Sequence, residues 1–205
     1  MIAVIKGDII ASRKQTDQGK WLLPLKKLLA TWGSTPEQWE LVWGDFFQIE
    51  IANPEEALHK ALVIKALIKK TSTTDVRMAI GIGEKTYSGA RISESNGPAF
   101  IRAGEKFNSL KKENVTIGIK SGWNDFDEEI NLHLKLATTF MDKWSVSSAE
   151  LIEIVLTNEN ITQEAIGRQL GIKQNSVSGR WNRANTEEIL AVEKMFRKKI
   201  KKLPL

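Results

Sequence analysis

The sequence predicts an α+β fold: a ferredoxin-like βαββαβ sheet domain over residues 1–144, followed by an all-α helix-turn-helix domain over residues 145–205. Three observations predict it. Apolar residues alternate between strand and helix spacing as far as Ile82 in the order strand, helix, strand, strand, helix, strand. From Ser145 on, the spacing is helical, broken by one Gly-centred turn. A chain of 205 residues suits one domain of ordinary size plus a smaller one.

The elements follow in order. Ile2 to Ile5 is a β-branched apolar run ending at Gly7-Asp8, as a buried strand feeding a loop does. Trp21, Leu22, Leu25, Leu28, Leu29 and Trp32 recur with helical period until Gly33. Trp39, Leu41 and Trp43 alternate, Gly44-Asp45 turns, and Phe47, Ile49 and Ile51 alternate again, which is a hairpin signature. Pro54 opens a helix carrying Leu58, Ala61, Leu62 and Ile68, and Val76 to Ile82 is the next strand. A polar loop from Ser88 to Pro98 leads to a helix near Ala99 to Leu110 and a strand near Val115 to Ile119.

Composition bounds the chemistry. Hydrophobic residues at 41% and charged residues at 27% match a folded globular chain and argue against global disorder. With no cysteine, disulfides, thiolate metal sites and cysteine nucleophiles are excluded, and a reducing, cytoplasmic location is expected. The N-terminal MIAVIKGDII is interrupted by Lys6 and Asp8 and is too short to span a bilayer, so no membrane partner is expected. The formal charge is +5, and from Ser145 on ten basic residues face seven acidic ones, a bias that suits phosphate contact or a solvated helix face.

In a split-βαβ sheet the third strand lies between the first two and runs antiparallel to the first. Asp8, at the end of strand one, then meets Asp45, in the hairpin that starts strand three. Two carboxylates at one sheet edge can hold Mg²⁺ against a polyphosphate, since the ion takes one or two protein carboxylates and completes its octahedron with water and phosphate oxygens. The backbone after Asp8, at Ile9, Ile10 and Ser12, and Gly44 beside Asp45, are the expected nucleotide-phosphate donors. Gly-Asp is also simply a good turn dipeptide.

The run Gly7-Asp8-Ile9-Ile10-Ala11-Ser12-Arg13, the hairpin Trp43-Gly44-Asp45-Phe46-Phe47-Gln48, and Asp75 to Gly83 followed by Ile92-Ser93-Glu94-Ser95-Asn96-Gly97 resemble the SatD-like family of bacterial proteins. More distantly, the same segments are similar to the palm of class III nucleotide cyclases and GGDEF-type diguanylate cyclases. That resemblance implies a palm-type sheet with Asp8 and Asp45 as metal aspartates, and Mg²⁺ as cofactor. The chain departs from the GGDEF pattern at Phe46, where those enzymes carry an acid, and it offers no evident match for their phosphoryl-stabilising cations. Arg91, Ser95 and Asn96, ahead of a helix N-terminus, are further candidates for nucleotide contact, although loop solvation explains them equally.

Thr162 caps a segment with Ala165, Ile166 and Leu170 on one face, Gly171 turns, and Gln174 to Ala184 forms a second helix with Val177 and Trp181 inward, behind a packing helix at Ala149 to Leu156. The segment resembles a bacterial helix-turn-helix. Its second helix presents Lys173, Gln174, Asn175, Ser176, Ser178, Arg180 and Arg183, side chains able to contact base edges and phosphates of DNA. A trihelical module for protein contact uses the same pattern. The last helix, Thr186 to Leu203, pairs an apolar stripe of Ile189, Val192, Phe196, Ile200 and Leu203 with a basic face, and the stripe packs on the chain itself or on a second copy in a homodimer. His59 and His133 lie too far apart for a metal cluster.

Two functions remain open. One is a DNA-binding transcriptional regulator with a cyclase-like sensor or ligand-binding domain for a nucleotide or partner. The other is a Mg²⁺-dependent nucleotide-processing enzyme, of cyclase or nucleotidyltransferase type, with an accessory helix-turn-helix. An interaction protein with neither activity is a third possibility.

Overall fold

The structure, a computed structural model, describes residues 1–12, 18–42, 44–71 and 74–203. Arg13 and Trp43, which enter the motifs above, lie outside the described residues. Five strands form one mixed sheet: β1 (Ile2–Ile10), β2 (Trp39–Val42), β3 (Phe46–Ile51), β4 (Asp75–Gly83) and β5 (Ile117–Lys120), in the spatial order β2-β3-β1-β4-β5. β1 is antiparallel to both β3 and β4, whereas β4 and β5 are parallel. Eight α-helices accompany the sheet among the described residues: α1 (Gly19–Ala30), α2 (Ala57–Lys69), α3 (Pro98–Glu113), α4 (Asn124–Met141), α5 (Val146–Thr157), α6 (Gln163–Leu170), α7 (Gln174–Ala184) and α8 (Thr186–Ile200).

Strand alternation divides β1 between two faces. Ala3, Ile5 and Ile9 join the main core with Trp21, Leu25 and Leu29 of α1 and the apolar side of α2. Val4 and its neighbours on the opposite face meet α3, in a smaller cluster with Ile92, Ala99, Phe100 and Ala103. There α3 lies directly on β4: a Cβ built on Gly81 would sit 2.1 Å from the Ala99 carbonyl oxygen and 2.3 Å from the Ala103 nitrogen. Only a residue without a side chain permits that approach.

β1 continues past Gly7-Asp8 to Ile10 and turns at Ala11, which has φ 62°. The turn expected at Asp8 is therefore displaced: Ile9 and Ile10 are strand residues, not loop donors. The reading of residues 120–144, which assigns no element, omits α4. Its Phe126, Ile130, Leu134, Ala137 and Met141 form a buried stripe.

The main core crosses the expected boundary at residue 144. Phe196 and Ile200 of α8, Val177 and Ala184 of α7, and Ile166 of α6 belong to the same apolar cluster as the sheet. The Trp144 indole donates to the Ala184 carbonyl at 2.9 Å. Polar ties add to this: Lys70 pairs with Glu153, Lys199 with Glu129 at 2.6 Å and Lys201 with Glu55 at 3.1 Å. The stripe of α8 thus packs on the chain's own body.

A buried polar hub centres on Lys65 of α2. The Lys65 ammonium is fully buried and donates to Asp75 at 2.9 Å, Asp142 at 2.5 Å and the Thr116 hydroxyl at 3.0 Å. It joins α2, the start of β4, the approach to β5 and the end of α4. Burial of a lone ammonium would be very unfavourable, and here two carboxylates match it.

Candidate functional site

The paired aspartates are neighbours. Asp8 is opposite Phe46 in the β1–β3 register, and the Ile9 amide donates to the Asp45 carbonyl at 3.0 Å, which fixes the hairpin against the end of β1. On its other side Asp8 pairs with Arg77 of β4, Nη2 to Oδ2 at 3.1 Å. The second carboxylate oxygen, Oδ1, is buried and has no hydrogen-bond partner among the described residues. Burial raises the Asp8 carboxyl above its ordinary value, the Arg77 guanidinium pulls it back, and the nearby Asp45 carboxylate adds to the rise.

Asp45 is half-buried and accepts a 2.8 Å hydrogen bond from the Ser12 hydroxyl through Oδ2. Ser12 is buried and its hydroxyl is committed to that bond, and the Ile9 amide is spent on the Asp45 carbonyl, so Ile9 is not a free phosphate donor. Gly44, with φ 88°, is exposed beside Asp45, and a Cβ there would meet nothing within 4 Å.

Along the same face of β1, Lys6 lies two residues before Asp8, opposite Gln48 of β3 and Ala79 of β4. It opens into a 420 Å³ cavity between the sheet, α3 and the preceding loop, where Ser95 and Asn96 also sit. Those two loop residues therefore share the cavity with Lys6, and Asp8 and Asp45 are not part of its lining. Arg91 does not line it either: it is held by Glu40 of β2. The anion site expected at the N-terminus of α3 is also absent, because Pro98 has no amide and the Ala99, Phe100 and Ile101 amides bond to Glu84 and Gly97 carbonyls.

Arg77 and Lys6 are the cations that the sequence reading missed. The alternation Val4, Lys6, Asp8 along a strand was the signal for Lys6, obscured by ending the strand at Asp8.

In the C-terminal segment, α5, α6 and α7 follow one another, with Gly171 turning between α6 and α7 at φ 65°. Val177 and Ala184 seat α7 in the core, while Lys173, Gln174, Asn175, Ser176 and Arg183 are exposed. Ser178 is half-buried. Arg180 turns inward to Glu150 of α5 at 2.9 Å, which corrects its expected place among exposed DNA contacts. Trp181 is partly buried and donates its indole N–H to Glu187 at 3.1 Å.

Mg²⁺ is the cofactor that the resemblance implies. Oδ1 of Asp8, buried without a partner, is an atom that a cation would satisfy, and with the neighbouring Asp45 it supplies the one or two carboxylates that Mg²⁺ takes from protein. The residues fit, with Arg77 already neutralising one oxygen of Asp8. No group of three or more His, Cys, Asp or Glu side chains able to hold a metal occurs among the described residues. No described helix is long and apolar enough to cross a membrane. No protein-family model, curated protein or solved structure matches the chain.

Proposed function

We propose that the chain is a DNA-binding transcriptional regulator whose sheet, in a ferredoxin-like palm-type arrangement, binds a Mg²⁺-associated nucleotide. The resemblances to SatD-like proteins and to a bacterial helix-turn-helix belong to this proposal. The observation that carries it is the exposed first turn of α7, where Lys173, Gln174, Asn175 and Ser176 stand clear of the body while Val177 anchors the helix. Side chains at the start of a recognition helix are those that reach base edges. Arg183 extends the basic surface toward a phosphate strand.

Asp8 and Asp45 would hold the cation, which supplies charge neutralisation for a polyphosphate. Arg77 keeps the Asp8 carboxylate oriented, and the Ser12 hydroxyl does the same for Asp45. The shared core gives a nucleotide a route to α7, because α2 backs the sheet and packs against α5, which Arg180 of α7 grips through Glu150.

Fluorescence anisotropy of a labelled duplex at low ionic strength tests the DNA reading. Affinity should fall linearly in log–log form with added salt, and absence of binding refutes it. The unpartnered Asp8 oxygen also favours a second reading, a Mg²⁺-dependent nucleotide-processing enzyme. Incubation with ATP or GTP and Mg²⁺ or Mn²⁺ that yields cyclic or dinucleotide product, lost in both Asp8→Asn and Asp45→Asn, would establish that reading instead.

A further inference from the structure

We propose that Lys6 and the cavity above it form a phosphate-binding subsite beside the paired aspartates, specific for an oxyanion of the phosphate class. The proposal deepens the nucleotide reading and rests on it only for the role of the cation. Lys6 is half-buried on the sheet face and has neither a hydrogen bond nor an ion pair among the described residues. Every neighbouring carboxylate at the cavity rim is otherwise engaged: Glu105 pairs with Lys120 at 2.8 Å, and Glu94 accepts from the Arg91 amide at 3.4 Å.

The rest of the lining suits an oxyanion. Asn96, which lines the cavity, accepts the Gly97 amide through Oδ1 at 2.8 Å, which leaves its Nδ2 as a donor. Gln48 is held by its own donation to the Ile92 carbonyl at 3.1 Å, which fixes the cavity wall. Two strand positions separate Lys6 from Asp8, about 6.6 Å of rise, a span that a di- or triphosphate can cover.

Gly104 supplies an independent observation. It sits inside α3, where glycine is unfavourable relative to alanine, yet a Cβ there would meet nothing within 4 Å except the Lys6 nitrogen, at 3.5 Å. Packing does not require this glycine. What its missing side chain leaves open is the space over the ammonium.

Isothermal titration of the full chain with inorganic pyrophosphate, with and without Mg²⁺, tests the subsite. Without Mg²⁺, Lys6→Met should weaken pyrophosphate roughly ten-fold, as expected for loss of one charge-assisted contact. Gly104→Ala should weaken it as well while leaving the chain at least as resistant to urea as the wild type. Asp8→Asn and Asp45→Asn should lose the enhancement by Mg²⁺. If Lys6→Met binds pyrophosphate as the wild type does, or the wild type does not bind it at all, the subsite is wrong. If Lys6 is required but Mg²⁺ adds nothing, the subsite stands and the metal reading fails.

Discussion

Lys65→Met should be among the most destabilising single substitutions in the chain. The change keeps the apolar stem and removes the ammonium, leaving Asp75 and Asp142 close together without their shared cation. Breaking a buried ion pair from one side costs about 3–5 kcal/mol. The two carboxylates retain 17% and 34% side-chain exposure, Asp75 keeps the Val76 amide at 2.7 Å, and Asp142 keeps the Thr116 hydroxyl at 2.7 Å. Those remaining partners place the loss at the lower end, about 3 kcal/mol, which for a chain of this size lowers Tm by about 6–12 °C. Urea denaturation followed by tryptophan fluorescence measures it. The triple variant Lys65→Met, Asp75→Asn, Asp142→Asn should recover much of the loss, because it removes the stranded charges. A single Lys65→Met variant within about 1 kcal/mol of wild type would refute the idea that this hub ties α2 to β4 and α4.

Three further outcomes follow from particular contacts. Gly81→Ala should drive α3 off β4 and lower the urea midpoint by the equivalent of about 1–3 kcal/mol or more, and an unchanged midpoint would contradict the close approach of the Ala99 carbonyl. Asp8 has a folded-state pKa above its ordinary value, so its contribution to stability is fully present below the unfolded-state pKa and is lost as pH rises through the folded one. Asp8→Asn should therefore gain stability relative to wild type as pH rises through that window, and parallel stability–pH curves would count against it. Arg183→Ala should weaken duplex binding and flatten its salt dependence, whereas Arg180→Ala, which breaks the bond to Glu150, should show mainly as lost stability in a thermal melt. The reverse pattern would mean that α7 presents a different face.

The hairpin, α2, and α6–α7 were legible in the sequence because each has a local signature. Gly44-Asp45 marks the turn, Pro54 the helix start, and Gly171 the only backbone position between α6 and α7 that must enter the left-handed region. The end of β1 was not legible. Gly7-Asp8 reads as a turn, but Gly7 serves packing: a Cβ there would lie 2.4 Å from the Phe47 ring, so the glycine lets β1 run past β3. Misplacing that end by two residues hid the Lys6 and Asp8 alternation and turned Ile9 and Ile10 into supposed loop donors. Arg77 was in view as part of a motif, but its bond to Asp8 depends on the β1–β4 register, which no local pattern encodes. Arg91 was read as a ligand contact because polar loop residues look alike in sequence, and only the tertiary structure assigns it to Glu40. The shared core was equally hidden, since the stripe of α8 carries no mark of whether it meets α4 or another copy.

Duplex affinity measured with and without a panel of Mg²⁺-nucleotides, for wild type and Asp8→Asn, tests the central claim most directly, because it requires the DNA surface, the carboxylate site and the coupling between them. The account predicts that one nucleotide class shifts wild-type affinity by about five-fold or more, the usual scale of an allosteric coupling, and leaves Asp8→Asn unmoved. Wild-type DNA affinity that no nucleotide alters, or that shifts equally in Asp8→Asn, would contradict it.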